Sequence, residues 1–323
     1  MWIILPLILV FLAIFILLKN RAQTDLKIFD PLAGAVNVNE NPRDLNKKDY
    51  VLSLVNSYDP EPNWNPSKQT STFNEPEVIA SSAIMVDLDT GNVLFEKNST
   101  QRKKIASLTK IMTGVLALEH LNFDDKVTVS QKASTIGENA MGISAGEIYT
   151  VEELMYGLVL NSGNDSAYAL AEASAGNVET FVKWMNVKAG ELGLKDTYFA
   201  DPSGLDDSTY STVSDLVKLT RYALKSPKFR EVASTLEKEL YGDDHKYLYL
   251  YNQTNLLSTY PGVRGVKTGY TEEAGLCLVT YALNDGKEVV GVVLNSIDRK
   301  GDMILMLDHS FSSLGVNVVH NLL

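Results

Sequence analysis

The sequence is poor in the residues that build disulfide frameworks and metal centres. It has 323 residues but a single cysteine, Cys277, which excludes an intrachain disulfide and any metal site made of several cysteines. Its four histidines (His120, His245, His309 and His320) are scattered and form no H-E-x-x-H pair, which argues against a zinc hydrolase. We therefore expect neither a metal nor a cofactor.

Positive charge is also scarce. The chain has 29 Lys and Arg against 40 Asp and Glu, a net charge of −11 at pH 7. This balance disfavours a nucleic-acid partner, because the phosphate backbone would be repelled. The one short basic run, Arg102-Lys103-Lys104, is more typical of a solvated loop than of a binding patch. Hydrophobic residues make up 45% of the chain, which is ample for a sizeable core.

The longest apolar stretch lies at the N-terminus, where Trp2 to Leu18 carry no charge. As a helix rising about 1.5 Å per residue, residues 1–18 would span roughly 27 Å, close to a bilayer core. A cleaved signal peptide is the alternative, but it would have a basic start and a small-residue cleavage site, so we interpret the segment as a retained membrane anchor. Lys19, Arg21 and Lys27 follow it, and the positive-inside tendency would hold the rest of the chain in the cytoplasm. We therefore expect either that the true start of the protein lies upstream of Met1, or that the large domain is exported despite this tendency.

Beyond the apolar stretch, the composition divides the chain once more. Residues 19–75 are polar and rich in Asn, Asp and Pro, with few periodic apolar residues, which predicts a disordered stalk. Residues 76–323 have the patterning of a folded domain, and we expect the catalytic domain there. We find no internal repeat.

Strand patterns lie at both ends of the folded segment. Ala83–Asp87 and Val93–Glu96 flank a turn, and so do Leu276–Ala282 and Glu288–Leu294. Between and after them, helical periodicity or a capping box predicts helices over Ser107–Glu119, Val151–Val159, Ser166–Ala173, Val178–Leu192, Ser214–Leu224 and Met303–Leu314. Strands first and last with helices between favour an α+β fold, a sheet covered by helices.

The first candidate for chemistry is the Ser-x-x-Lys pattern formed by Ser107 and Lys110 at the start of a predicted helix. At positions i and i+3 the hydroxyl and the amine lie on one face, within hydrogen-bonding reach. A lysine whose pKa is lowered by burial can take the serine proton and so create a nucleophile. A serine at a helix start also lies near free backbone N–H groups, which favour developing negative charge. Alone, the pattern is common by chance, as a helix cap followed by a surface lysine.

Two further motifs have the residue types that such chemistry needs. In Ser162-Gly163-Asn164 a hydroxyl and a carboxamide could relay a proton and hold a substrate amide. In Lys267-Thr268-Gly269, on a predicted strand, a cation, a hydroxyl and a residue without Cβ suit the docking of a peptide carboxylate against a strand edge. Each motif alone is also compatible with an ordinary polar turn or an exposed strand lysine.

In this order, the three motifs resemble those of the penicillin-binding serine D-alanyl-D-alanine carboxypeptidases, relatives of the serine β-lactamases. The likeness covers roughly residues 78 to 318 and extends to Asp201-Pro202-Ser203-Gly204-Leu205. It implies a β-lactamase/DD-peptidase-like fold, with an antiparallel sheet covered by helices and an all-helical subdomain. It also implies a catalytic domain outside the cytoplasm, at the bacterial cell membrane. Asp201 and Ser203 depart from the usual Asn and His, and neither belongs to the family's catalytic set.

The resemblance implies catalytic roles for residues of the first two motifs. Ser107 would attack the D-Ala–D-Ala amide carbonyl of a peptidoglycan stem peptide and form an acyl-enzyme, with Lys110 as the base. Ser162 would help to pass the proton to the leaving amine, and Asn164 would orient the substrate amide. Penicillins and other β-lactams would acylate Ser107 as substrate mimics.

The third motif is implied to bind substrate. Lys267 and Thr268 would bind the terminal carboxylate, and Lys267 would also lower the pKa of Lys110. Gly269 belongs to the same substrate-binding strand. The backbone N–H groups of Tyr270 and of the nucleophile would form the oxyanion hole.

Four other functions remain to be weighed. A β-lactamase of the same fold would need a dedicated deacylating carboxylate, and no clear Glu-x-x-x-Asn element lies between the second and third motifs. A DD-endopeptidase cannot be separated from a carboxypeptidase by sequence. A non-catalytic cell-wall-binding module would have no need of both Ser107 and Lys110. Gly142–Gly146 matches the nucleophile elbow of esterases around Ser144, but it lacks the flanking strand and helix.

Overall fold

The computed structural model describes residues 64–68 and 75–322. The predicted anchor, residues 1–18, lies outside the described residues, and so does most of the predicted stalk, residues 19–75. The division into anchor, stalk and catalytic domain therefore stays a prediction. Across the two described ranges, every helix is too short or too polar to cross a membrane.

A six-stranded sheet forms the centre of the fold. Its strands are β1 (Ser67–Lys68), β2 (Ser82–Asp87), β3 (Asn92–Lys97), β10 (Val263–Thr271), β11 (Gly275–Asn284) and β12 (Lys287–Ser296). Their spatial order is β1-β3-β2-β12-β11-β10, with β1 parallel to β3 and all other neighbours antiparallel. β10 is therefore an edge strand. Three ribbons of two strands accompany the sheet: β4 (Lys103–Lys104) with β7 (Tyr210–Ser211), β5 (Lys126–Thr128) with β6 (Ile148–Thr150), and β8 (Glu237–Leu240) with β9 (Leu248–Tyr251).

The helices lie mostly between β3 and β10 in the chain. In order they are α1 (Lys110–His120), α2 (Gln131–Ser134), α3 (Val151–Val159), α4 (Asn164–Ala175), α5 (Val178–Glu191), α6 (Val213–Ala223), α7 (Pro227–Ser234), α8 (Leu256–Thr259) and α9 (Arg299–Ser313). A 3-10 helix, Ala106–Thr109, precedes α1. The six predicted helices are all present, and the predicted capping box of Thr150 and Glu153 opens α3.

The sheet is buried on both faces because residues of a strand alternate between its two sides. In β2, Ile84 and Val86 pack in one core with the apolar residues of α1, α3 and α4. Ala83 and Met85, on the opposite face, pack in a second core with the buried residues of α9. Helices thus cover both faces of the sheet, and those between α1 and α7 form the predicted helical subdomain.

A buried carboxylate joins the beginning and the end of the longer described range, residues 75–322. Asp302, in α9, accepts hydrogen bonds from the backbone N–H groups of Ile79 (2.8 Å) and Ala80 (2.9 Å), and from the Ser296 hydroxyl (2.6 Å). Its side chain is almost wholly inaccessible to water, so these donors cannot be satisfied by solvent if the carboxylate is removed.

We therefore expect Asp302→Ala to lower the free energy of unfolding by about 3 kcal/mol, since buried donors would be left unpaired. Urea denaturation followed by circular dichroism measures the change. Glu77→Ala, at an exposed position of the same N-terminal segment, should change stability by no more than about 0.5 kcal/mol. Equal denaturation midpoints for the two variants would contradict the role given to Asp302.

Candidate active site

Ser107 occupies the 3-10 helix that precedes α1, not α1 itself. The residue before it, Ala106, has a φ of 47°, in the left-handed region that a residue with a Cβ enters at a cost of about 1–2 kcal/mol. This backbone turn is maintained by packing, because Ala106 and Leu108 are buried. The chain is thus held in a strained conformation directly at the predicted nucleophile, as is common at functional sites.

Lys110, the first residue of α1, is only 1% exposed. Its Nζ donates hydrogen bonds to Ser107 Oγ (2.9 Å), Asn164 Oδ1 (2.7 Å) and the backbone carbonyl oxygen of Ser203 (2.8 Å). Three separate segments of the chain therefore converge on one amine. The serine and the lysine lie within direct hydrogen-bonding distance, as their spacing predicted.

Burial lowers the pKa of Lys110 to about 7, because the charged ammonium loses its hydration. The carboxylates of Asp201, Asp165 and Glu138 act in the opposite direction and favour the ammonium. Near neutral pH, both forms of Lys110 are therefore populated. Its neutral form can accept the proton of Ser107, which is what a general base requires.

The second motif lies across from Lys110, at the start of α4. Asn164 is the first residue of this helix, and its Nδ2 donates to the Gly137 carbonyl oxygen (2.9 Å) while its Oδ1 accepts from Lys110. Ser162 adopts a φ of 57° and is buried. Its hydroxyl has no hydrogen-bond partner among the described residues. This buried hydroxyl lies two residues before Asn164, which contacts Lys110, and is available for a hydrogen bond to a bound substrate.

The third motif lies on the edge strand β10. Lys267 is 2% exposed, and its Nζ donates to the Thr268 carbonyl oxygen (3.0 Å). Burial lowers the pKa of Lys267 well below its usual value, and the positive charges of Lys110 and Arg299 lower it further. The family resemblance implied that Lys267 lowers the pKa of Lys110. In the structure, burial is what lowers the pKa of Lys110.

Gly269 is the point at which β10 approaches the nucleophile. A Cβ at this position would lie 3.0 Å from the Ile105 carbonyl oxygen and 3.2 Å from the Ser107 backbone nitrogen. Thr268 is buried beside it, whereas the Tyr270 side chain is 59% exposed. A residue without Cβ therefore lets the strand edge lie against the backbone N–H of Ser107.

The Asp201–Leu205 loop completes the surroundings of Lys110, a role that sequence reasoning did not give it. The Asp201 carboxylate accepts hydrogen bonds from the Ser203 hydroxyl and from the backbone N–H groups of Ser203, Gly204, Leu205 and Asp206. This network fixes the Ser203 carbonyl oxygen that accepts from Lys110. The loop contributes a backbone atom, so its side chains carried no recognisable catalytic signal.

Arg299 was also missed, because it lies thirty-two residues beyond Lys267 and belongs to no motif. At the start of α9, its Nη1 donates to the carbonyl oxygens of Gly269 (2.8 Å) and Cys277 (3.2 Å). Arg299 thus links β10 to β11 through their backbone carbonyl oxygens. It also places a second cation near Lys267, in addition to Lys110. Ser144, by contrast, is exposed. The Lys246 amine that donates to its hydroxyl (2.9 Å) is exposed as well and is paired with Glu147, so no buried base adjoins Ser144.

Comparison with known proteins identifies the family of this chain. The profile of the family described as D-alanyl-D-alanine carboxypeptidase matches residues 69–298. The D-alanyl-D-alanine carboxypeptidase DacF of Bacillus subtilis is 40% identical over 242 residues, which are 72% of this chain and 62% of DacF. The D-alanyl-D-alanine carboxypeptidase of Streptomyces sp. strain K15 is 35% identical over 263 residues, 75% of this chain and 90% of the relative. The crystal structure of the Streptomyces K15 DD-transpeptidase matches with a TM-score of 0.71 and 33% identity, and covers 74% of this chain and 100% of that chain.

The chain therefore belongs to the D-alanyl-D-alanine carboxypeptidase family, whose members are serine penicillin-binding DD-peptidases. The family and the β-lactamase/DD-peptidase-like fold expected from the three motifs are confirmed. The matched region spans about three fifths of DacF.

At Gly269, β10 lies close to the backbone of Ile105 and Ser107. A methyl group there would press on the Ile105 carbonyl and the Ser107 nitrogen, so we expect Gly269→Ala to slow the reaction of Ser107 with penicillin roughly tenfold. Stopped-flow or gel-based labelling with a fluorescent penicillin measures the rate. Gly190→Ala is the matched control, because a Cβ there meets nothing within 4 Å. Equal labelling rates for the two variants would show that the approach of β10 has no kinetic importance.

Proposed function

We propose that this protein is a serine-type D-alanyl-D-alanine carboxypeptidase that trims peptidoglycan stem peptides through an acyl-enzyme on Ser107. The observation that carries the proposal is the 2.9 Å hydrogen bond between Ser107 Oγ and the buried Nζ of Lys110. A pKa of about 7 leaves this amine partly neutral at physiological pH, and a surface lysine would be almost fully protonated there. Burial thus supplies the activation that serine lacks by itself.

In the proposed acylation, Ser107 Oγ attacks the carbonyl carbon of the D-Ala–D-Ala amide as its proton passes to Lys110 Nζ. The carbonyl oxygen becomes an oxyanion that the backbone N–H groups of Ser107 and Tyr270 stabilise. The C–N bond then breaks, and the leaving amine takes a proton through the hydroxyl of Ser162. Terminal D-alanine departs, and the shortened peptide remains as an ester on Ser107. Water hydrolyses this ester and regenerates the serine.

The terminal carboxylate of the substrate binds Lys267 and the Thr268 hydroxyl in this proposal. An anion beside Lys267 favours its ammonium form and so raises its pKa, opposing the effect of burial. A charged Lys267 in turn disfavours a second cation at Lys110. Binding of the correct anionic substrate therefore favours the neutral form of the base, with Asn164 orienting the substrate amide beside it.

We also propose the cellular arrangement predicted from sequence, with residues 1–18 as membrane anchor and the catalytic domain outside the cytoplasm. The support is the apolar N-terminal stretch, the polar segment that follows it, and membership of a family that acts on peptidoglycan. Under this arrangement, a fluorescent penicillin that does not cross the cytoplasmic membrane labels the protein in living cells. Labelling that occurs only after lysis would show that the catalytic domain faces the cytoplasm, contrary to the proposal.

The covalent step is tested by labelling purified protein with fluorescent penicillin and then measuring D-alanine release from a D-Ala-D-Ala peptide. We expect Ser107→Ala to lose both signals, because no other serine hydroxyl among the described residues contacts a buried lysine amine. Ser144→Ala should retain both signals. Labelling that persists in Ser107→Ala would exclude this nucleophile, and rapid hydrolysis of penicillin by the wild type would instead indicate a β-lactamase.

The pH dependence tests the base. Acylation requires neutral Lys110, so its rate should rise with pH through a midpoint of about 7. Asp201→Asn removes an anion that favours the ammonium, so the midpoint should shift to lower pH. Penicillin acylation rates from about pH 5.5 to about pH 8.5 measure both midpoints. Asp124→Asn, at an exposed position, should leave the midpoint unchanged, and an upward shift in Asp201→Asn would contradict the assignment.

A further inference from the structure

The residue directly after the second motif is a buried aspartate that has no role in the chemistry described above. Asp165 is the second residue of α4 and is only 2% exposed. A carboxylate so far from water needs hydrogen-bond donors from the protein, because burying an unpaired charge is costly. Asp165 finds these donors in residues 137–143, a segment without helix or strand that we call the 137–143 loop.

The 137–143 loop donates three consecutive backbone N–H groups to this carboxylate. Met141 donates to Oδ1 (2.8 Å), while Gly142 (2.8 Å) and Ile143 (3.1 Å) donate to Oδ2. Backbone N–H groups that belong to no helix or strand need another acceptor. The Asp165 side chain therefore supplies the hydrogen bonds that regular secondary structure would otherwise give this part of the chain.

The same loop also holds the residue before Asp165. The backbone N–H of Asn164 donates to the Asn139 carbonyl oxygen (2.8 Å), and Asn164 Nδ2 donates to the Gly137 carbonyl oxygen (2.9 Å). Asp165 thus accepts from the loop, whereas its neighbour donates to the loop. The first turn of α4 and the 137–143 loop are therefore joined by hydrogen bonds in both directions.

The contact with Gly137 decides which end of the Asn164 carboxamide faces the base. A carboxamide has one end that accepts, the oxygen, and one end that donates, the nitrogen. Because Nδ2 donates to Gly137, Oδ1 is directed at Lys110 Nζ, which lies 2.7 Å away. A reversed carboxamide would bring its donating end to the Lys110 amine, and the hydrogen bond donated by this amine would be lost.

The 137–143 loop needs external support for this shape. Glu138, between the two carbonyl groups that accept from Asn164, adopts a φ of 64°. A residue with a Cβ keeps such a conformation only where the surrounding structure enforces it. Gly163 allows that enforcement, since a Cβ there would lie 2.8 Å from Asp165 Oδ1 and 3.0 Å from the Met141 backbone nitrogen.

We propose that Asp165 is a positioning residue for the acylation of Ser107, because it holds the 137–143 loop and, through Gly137, the carboxamide of Asn164. The proposal rests on the proposed function and extends it to a residue outside the three motifs. Without the carboxylate, three backbone N–H groups lose their acceptor and the Gly137 carbonyl is no longer held in place. The Asn164 oxygen then loses its fixed position beside Lys110.

The test measures the rate constant for acylation by a fluorescent penicillin in the full chain carrying Asp165→Asn. Asparagine keeps the shape of the side chain but replaces one accepting oxygen by a donating NH2 group. We expect the rate constant at about pH 8.5 to fall about 10- to 100-fold, as for a reacting group displaced by about 1 Å. At this pH the rate lies on its upper plateau. A shift of the midpoint to lower pH, which loss of the Asp165 charge also causes, therefore does not affect the comparison.

Asp215→Asn is the matched control. Asp215 is also buried and lies in the first turn of α6, where it accepts from the Asp196 backbone N–H (2.9 Å) and the Thr197 hydroxyl (2.9 Å). A general loss of stability lowers the fraction of molecules that become labelled, whereas a displaced Asn164 lowers the rate constant of those that do. Asp215→Asn should therefore keep the wild-type rate constant.

A double-mutant cycle tests whether Asp165 acts through Asn164. In an Asn164→Ala background, Asp165→Asn should slow acylation by less than about threefold, because the group that it positions is already absent. If Asp165→Asn does not fold, Gly163→Ala takes its place in the cycle. Gly163 has a φ of −59°, which alanine adopts freely, so this variant tests only the crowding between α4 and the loop.

An unchanged plateau rate in Asp165→Asn would overturn the inference, and so would an equal loss with and without Asn164. A shifted midpoint with an unchanged plateau would show that Asp165 acts only through its charge. Amide hydrogen exchange of residues 137–143 gives a readout that needs no reaction, and it should become faster in Asp165→Asn but not in Asp215→Asn. If the wild type itself is not acylated, the proposed function fails, and hydrogen exchange still decides whether Asp165 holds the loop.

Discussion

The structure depends on one buried amine. Lys110 is withdrawn from water at the start of α1, and its three hydrogen-bond partners come from the 3-10 helix, from α4 and from the loop after Asp201. Removing an ammonium from water is costly, so the pKa falls to about 7 and the group becomes a usable base. The surrounding core, built from α1, α3, α4 and one face of the sheet, maintains that burial. Stability of the helical subdomain and chemical reactivity therefore share the same packing.

Backbone strain and close approach are concentrated around this amine. Ala106 and Ser162 both adopt left-handed φ values. Ala106 directly precedes the first motif, and Ser162 begins the second. Gly204 has a φ of 78°, and a Cβ there would lie only 1.9 Å from the Ala106 carbonyl oxygen. Such contacts cost free energy locally and persist because the neighbouring elements are well packed. The result is a rigid arrangement in which the nucleophile, the base and the edge strand have fixed separations.

Three basic side chains are grouped around β10. Burial lowers the pKa of Lys267, and the positive charges of Lys110 and Arg299 lower it further. This concentration of basic groups suits an anionic peptide terminus.

The sequence by itself determined the elements and the chemical inventory. Helical periodicity and the Thr150 capping box located the main helices, and spacing alone placed Ser107 and Lys110 on adjacent turns, because these are local properties of the chain. Tertiary structure decided what is non-local: the burial that lowers the pKa of Lys110, the Ser203 carbonyl that contacts it, and the support of β10 by Arg299. The β8–β9 hairpin also escaped prediction, and its contact with Asn161 through the Tyr251 backbone N–H is non-local as well. Desolvation and long-range contact depend on the folded chain, and no local pattern encodes them.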